Sequence, residues 1–158
     1  MSSSRTKTPA RARRPAPRDN TKSIGFLLQR AHNLLRLQLQ DVLEGSGLHL
    51  GHIAIMGALV NGTQLTQREL CDWTGIEKSS MVIFLDGLEK HGWIRRSRHP
   101  TDRRAHAVGL TPVGAERLAI IGPRLASVEV QFTSTLAAKR RKDLATLLTT
   151  LISDRSRS

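Results

Sequence analysis

Five arginines crowd one short stretch of the chain: Arg95, Arg96 and Arg98, then Arg103 and Arg104, with His99 and His106 among them. A guanidinium is permanently charged and presents its N–H donors as a planar fork, which suits the phosphates of nucleic acid. Just upstream, Lys78, Ser79 and Ser80 open a helical pattern. Small polar side chains at a helix start can reach base edges and phosphates. Other chemistries are poorly supplied. Cys71 is the only cysteine, so no intramolecular disulfide can form, and a reducing compartment fits. The six histidines are scattered, and no nucleophile–base arrangement or glycine-rich phosphate loop accompanies them. His49 and His52 lie three apart, but no carboxylate or cysteine completes a metal set locally, so they read as helix-start or pocket-lining residues. No enzyme activity, cofactor or metal is expected.

The elements that must position these residues lie between Leu65 and Gly114. Thr66-Gln67-Arg68-Glu69 has capping-box spacing and starts a helix running to about Thr74, which should bury Leu70 and Trp73. Gly75 makes a turn, and Glu77-Lys78-Ser79 opens a second helix with Met81, Leu85 and Leu88 on one face and Phe84 beside them. Two short helices about a glycine turn form the helix-turn-helix pattern. Gly92 closes the second helix. A strand from Trp93 into Arg95-Arg96 follows, then a turn over Ser97 to Asp102, then a return strand from Arg104 to Leu110. The arginines therefore ride on a two-stranded basic wing, suited to phosphates and to a narrow minor groove.

The remaining chain reads as support. Residues 1–20 carry Lys or Arg at six positions and Pro at three, and should form a disordered basic tail. It is either a solvated leader or an arm that touches DNA. Residues 21–44 give a long amphipathic helix with Thr21 or Ser23 as cap, whose apolar stripe covers either its own core or a partner. Residues 50–61 read as a short buried helix. Thr111-Pro112 starts another long helix, perturbed near Gly122-Pro123. A last helix runs from about Leu136 to Ile152 with Lys139 to Lys142 as a basic patch, and Ser153 to Ser158 should fray. The 158 residues suit one domain, with 25 Lys+Arg against 13 Asp+Glu and a formal net charge of +12. That charge draws the chain toward polyanions, nucleic acid first and anionic membrane second. No apolar run approaches a membrane span, and no signal peptide is evident, so a cytoplasmic protein without a membrane partner is expected.

The block LTQRELCDWTGIEKSSM, then LDGLEKHGWIRR, then DRRAHAVGLTPVG with its D-x-R and L-T-x-x-G elements, resembles the MarR family of bacterial transcription regulators. The resemblance is strong over residues 65–114 and extends by helix pattern over about 24–152. It implies a mainly α fold with a small β-hairpin wing. The winged helix-turn-helix would span about 48–110, and dimerisation helices about 21–45 and 112–153, within a single domain of residues 21–153. It implies a homodimer on double-stranded DNA, usually repressing, with a small aromatic or phenolic effector. Carried over by position, the recognition helix is Lys78 to Lys90, with Ser79 and Ser80 facing DNA. Arg104 would enter the minor groove and Asp102 would orient the wing, with Arg103 between them. Val82 and Ile83 depart from the family's polar residue and arginine. They would contact thymine methyls or pack on the wing. Arg95, Arg96 and Arg98 complete the expected DNA contacts, and His32, His52 and Trp73 are candidate effector-pocket residues. A free Cys71 in the first helix of the motif reads as a packed hydrophobe. The alternative is an architectural DNA-binding protein of low specificity without a ligand.

Overall fold

The computed structural model describes residues 22–98 and 106–155. The basic tail of residues 1–20, Thr21 as a cap, and the wing tip with His99, Asp102, Arg103 and Arg104 lie outside the described residues. Six helices and three short strands follow one another as α1 (Ile24–Leu43), α2 (Leu50–Ala58), β1 (Gln64–Thr66), α3 (Gln67–Thr74), α4 (Lys78–Lys90), β2 (Ile94–Arg98), β3 (His106–Leu110), α5 (Pro112–Phe132) and α6 (Ala138–Arg155). The fold is mainly helical with a small antiparallel sheet, as expected.

Local chemistry sets most boundaries. The Ser23 hydroxyl accepts from the Phe26 N–H and starts α1. Thr66 and Glu69 form the expected capping box: the Thr66 Oγ accepts from the Glu69 N–H, and the Glu69 carboxylate accepts from the Thr66 N–H at 2.7 Å. Gly75 ends α3 in the left-handed conformation with φ 70°, where a side chain would be strained. The Thr111 hydroxyl accepts from the Gly114 N–H, and Pro112 takes the first position of α5. α5 continues through Pro123 as one helix. α2 is shorter than expected, because a 3₁₀ turn over Val60–Gly62 replaces its last turn. α6 runs on to Arg155 instead of fraying from Ser153.

The wing differs from the sequence expectation. It is not a free two-stranded hairpin, since β1 adds a third strand in the order β1-β3-β2. Leu65 stands opposite Val108, and Ile94 opposite Leu110. The sheet thereby ties the wing to the segment that leads into α3.

One core sits between the helix-turn-helix and the sheet. Ile55, Met56 and Leu59 of α2 meet Leu70 of α3, Met81, Leu85 and Leu88 of α4, Ile94 and Val108 of the sheet, and Ile121 and Leu125 of α5, all buried. Leu43 at the end of α1 joins them. The outer helices contribute little. Ile24, Leu27, Leu34 and Leu37 of α1 and Leu147 and Leu151 of α6 remain exposed, and among the described residues α6 packs on no other element to any substantial extent.

Candidate nucleic-acid interface

α4 is held by its buried stripe, so the rest of its surface is displayed. Met81, Leu85 and Leu88 are fully buried, while Lys78 and Ser79 are exposed and Ser80 is half-buried. Val82 is 40% exposed and Ile83 70% exposed. Ile83 therefore does not pack on the described part of the wing, which leaves its methyls facing outward. No side chain caps the α4 N-terminus, and an uncapped helix start beside Lys78 favours anions.

The three described wing arginines have different surroundings because a strand alternates its side chains between two faces. Arg95 is exposed, opposite Gly109, and lines an open hollow of about 420 Å³ with Leu59, Asn61, Leu110 and Thr111. Arg98 is exposed at the strand end, opposite His106. Arg96, expected as a DNA contact, is engaged within the protein. Its guanidinium donates to Glu89 and to Asp86 of α4 at 2.7 Å each, and its backbone N–H donates to Glu89 at 3.2 Å. Burial opposes the charge of Arg96, but the two carboxylates outweigh burial and raise its pKa above the ordinary arginine value. Its charge is already matched within the protein. Arg96 ties β2 to α4, the recognition-type helix. The signal that would have found this is the pair Asp86 and Glu89 on one helix face, three residues apart.

Two further struts brace the wing base. His91 stacks on Trp93 with ring centroids 4.6 Å apart, and the Arg117 guanidinium of α5 lies over the same indole at 5.8 Å. Arg117 also donates to the Ser46 carbonyl at 2.7 Å, linking α5 to the turn after α1.

The candidate effector residues lie on three different helices. His32 is exposed on α1, His52 is half-buried on α2, and no ring contact or hydrogen bond joins them to each other or to Trp73. Trp73 was expected inside; it is 67% exposed on α3. Leu70 and Cys71 set the buried side of that short helix, and Trp73 falls roughly 110° round from their midpoint at 100° per residue. Cys71 is half-buried against the core, as a small hydrophobe would be. Among the described residues, no group of three or more His, Cys, Asp or Glu gathers as a metal set, and no helix is long and apolar enough to cross a membrane.

A helix-turn-helix with a displayed second helix, joined to a three-stranded sheet carrying basic residues, defines the winged-helix class of DNA-binding fold. The sequence profile of the MarR family matches residues 46–105. A Thauera aromatica protein assigned as the transcriptional regulatory protein for the hcr operon is 29% identical over 126 residues, covering 79% of this chain and 76% of that protein. The transcriptional repressor CouR bound to a 23-mer DNA duplex superposes with a TM-score of 0.72 at 27% identity, covering 83% of this chain and 93% of that one. Bordetella bronchiseptica BpsR, whose DNA binding is regulated by 6-hydroxynicotinic acid, shares the fold with a TM-score of 0.72 at 22% identity, covering 81% of this chain and 97% of that one. Residues 46–105 match the MarR family, and the relatives and solved structures support a MarR-family winged-helix transcriptional regulator.

Proposed function

We propose that this regulator binds a pseudo-palindromic operator as a homodimer and represses transcription by occupying it. The observation that carries this is the division of the exposed surface. Lys78, Ser79, Arg95 and Arg98 are exposed on α4 and the wing, beside Val82 and Ile83, while rows of exposed leucine and isoleucine run along α1 and α6. A second copy would cover those aliphatics. It would also place a second α4 one helical turn of DNA away, about 10 base pairs centre to centre. Lys78, Ser79 and Ser80 are the proposed major-groove contacts, with Val82 and Ile83 against thymine methyls. Arg95, Arg98, Arg103 and Arg104 are the proposed wing contacts, with Asp102 orienting the tip. An aromatic or phenolic effector would act by binding one dimer geometry better than the other. The regulation of BpsR by 6-hydroxynicotinic acid supports that class of ligand.

The architectural reading keeps one supporting observation. The outward positions of α4 are short or apolar, so direct hydrogen-bond readout is thin. Selection of duplexes from a random pool, followed by affinity measurement at physiological salt, tests the choice. A regulator of this kind should enrich a palindrome of about two half-sites and prefer it over random DNA by at least ~10³. A preference near unity would favour the architectural protein.

A further inference from the structure

The first turn of α2 is closed by two histidines. The His49 Nδ1 accepts from the Gly51 N–H at 3.0 Å, and the His52 Nδ1 accepts from the His49 N–H at 3.1 Å. An imidazole accepts at Nδ1 only when neutral, with its proton on Nε2. The same rings grip the recognition helix. His49 stacks on Phe84 of α4 with centroids 4.9 Å apart, and His52 meets Phe84 edge-on at 5.2 Å. Gly51 lies flush against the Phe84 ring, leaving no room for a side chain, and the His52 Nε2 rests against Gly87 one turn further along α4. Phe84 is thus held from three sides by the opening of α2.

We propose that His49 and His52 are positioning residues for DNA recognition: as backbone acceptors they fix the α2 start, and through Phe84 they fix the seat of α4. The inference rests on α4 being the helix that reads DNA. It makes operator affinity depend on two side chains of the α2 start and not only on those of α4.

Protonation dismantles the clamp. An imidazolium has no lone pair for a backbone N–H, so each proton taken up at Nδ1 removes one cap bond. It also places a cation at the positive end of the α2 dipole. Burial lowers the His52 pKa from its ordinary 6.5, and His49 and His91 lower it further. The folded state therefore binds this proton less readily than the unfolded state. The contribution of His52 is complete above about pH 6.5 and is lost as the pH falls through the lowered value. The surrounding charges do not reverse that sign. On α4, Asp86 and Glu89 are engaged by Arg96. On α3, Arg68 and Asp72 pair with each other at the surface. On α5, Arg117 is engaged by Ser46 and Trp93. Asp41 and Glu44 at the end of α1 share an open hollow with His49 and are the carboxylates on that side.

The test compares the full-length protein with the double variant His49→Asn, His52→Gln. Asparagine and glutamine keep an acceptor at the cap and third helical positions but do not titrate. Affinity for a duplex that the protein enriches from a random pool is read by fluorescence anisotropy at pH 7.5 and at the lowest pH where circular dichroism shows both proteins folded, at fixed salt. Amide hydrogen exchange over α2 and α4 is read on free protein at both pH values, corrected for intrinsic rates. Added positive charge alone would strengthen DNA binding in acid. The expected result is the reverse: the native protein loses about tenfold in affinity relative to the variant, and the first turn of α2 and the centre of α4 lose protection together. Parallel pH profiles for the two proteins, or unchanged α4 protection in the native protein, would overturn the proposal. If neither protein binds the duplex at either pH, the DNA-reading role of α4 is what fails, and the exchange data still decide whether the histidines seat the helix.

Discussion

Replacing Arg96 with alanine separates a wing arginine that touches DNA from one that holds the wing in place. In the structure the guanidinium is 27% exposed and lies 2.7 Å from each of two carboxylates, Asp86 at 60% and Glu89 at 40% exposure. Exposed ion pairs contribute about 0.2–1 kcal/mol each, and the partners here are open enough to be screened. The short contacts and the partly buried guanidinium place the loss near the upper end, about 1–2 kcal/mol in total. Thermal unfolding should then shift down by about 3–6 °C. The substitution also leaves two unmatched carboxylates on the helix that approaches the phosphates, so affinity should fall as well. The assay is anisotropy over a salt series for four proteins: native, Arg96→Ala, Asp86→Asn/Glu89→Gln, and the triple variant. If Arg96 acts through α4, its removal costs little once the carboxylates are neutral, and the salt slope of Arg96→Ala stays near the native one. A phosphate contact predicts the opposite. The slope would drop by about one counterion, with the affinity cost undiminished in the Asn/Gln background. That pair of results would refute the strut.

Three other outcomes are expected. Arg104→Ala should cost more operator affinity than Ser80→Ala, because α4 offers few long hydrogen-bonding side chains and the wing is dense in arginine; competition at fixed salt giving the reverse order would shift the weight of readout back to the helix. Leu147→Glu, at a 64% exposed position on α6, should convert the protein to monomers in sedimentation velocity while leaving the winged-helix core folded; an unchanged mass would remove α6 from the interface. Gly114→Ala should destabilise by about 1–3 kcal/mol in denaturant titration, since an added Cβ would meet the Trp93 carbonyl and the Leu110 side chain; native stability would mean that the α5 start can shift away from the wing.

What was legible in the sequence is what short-range chemistry decides. The Thr66/Glu69 box spans three residues, and its partners are found without knowing where the rest of the chain goes. The same holds for the Thr111-Pro112 start of α5 and the left-handed glycines at positions 75 and 92. The misreadings share the opposite property. β1 is three residues long, too short to display alternation, and it exists because Leu65 pairs with Val108 far along the chain. Arg96 reaches Glu89 and Asp86 only once β2 folds back along α4, so its neighbours in sequence, Arg95 and Ser97, say nothing of its partners. Trp73 was assigned inward from residue type, whereas the rotation of an eight-residue helix left it outside. For the histidines, a spacing of three allowed a helix start or a pocket lining; the hydrogen bonds place both at the start of α2.

The long stripes at the two ends of the chain show where periodicity stops being informative. A period of 3.6 says which face of a helix is apolar, not what covers it. In α1 both answers hold along one helix. Leu39, Val42 and Leu43 near its end pack on the common core, while Ile24, Leu27, Leu34 and Leu37 stay exposed. The core does not reach them, since its α5 contributors run only from Leu118 to Leu125. α6 extends the same condition, with Leu147 and Leu151 exposed and no substantial packing on any described element. Solvated aliphatic rows on two helices of one chain are costly to leave open at about 25 cal/mol per Å². In the proposed homodimer a second copy would remove that cost on both helices and would set the distance between the two recognition helices. Dimer stability and operator spacing are then the same structural variable, so a substitution on α6 should change which half-site spacing binds best as well as how tightly.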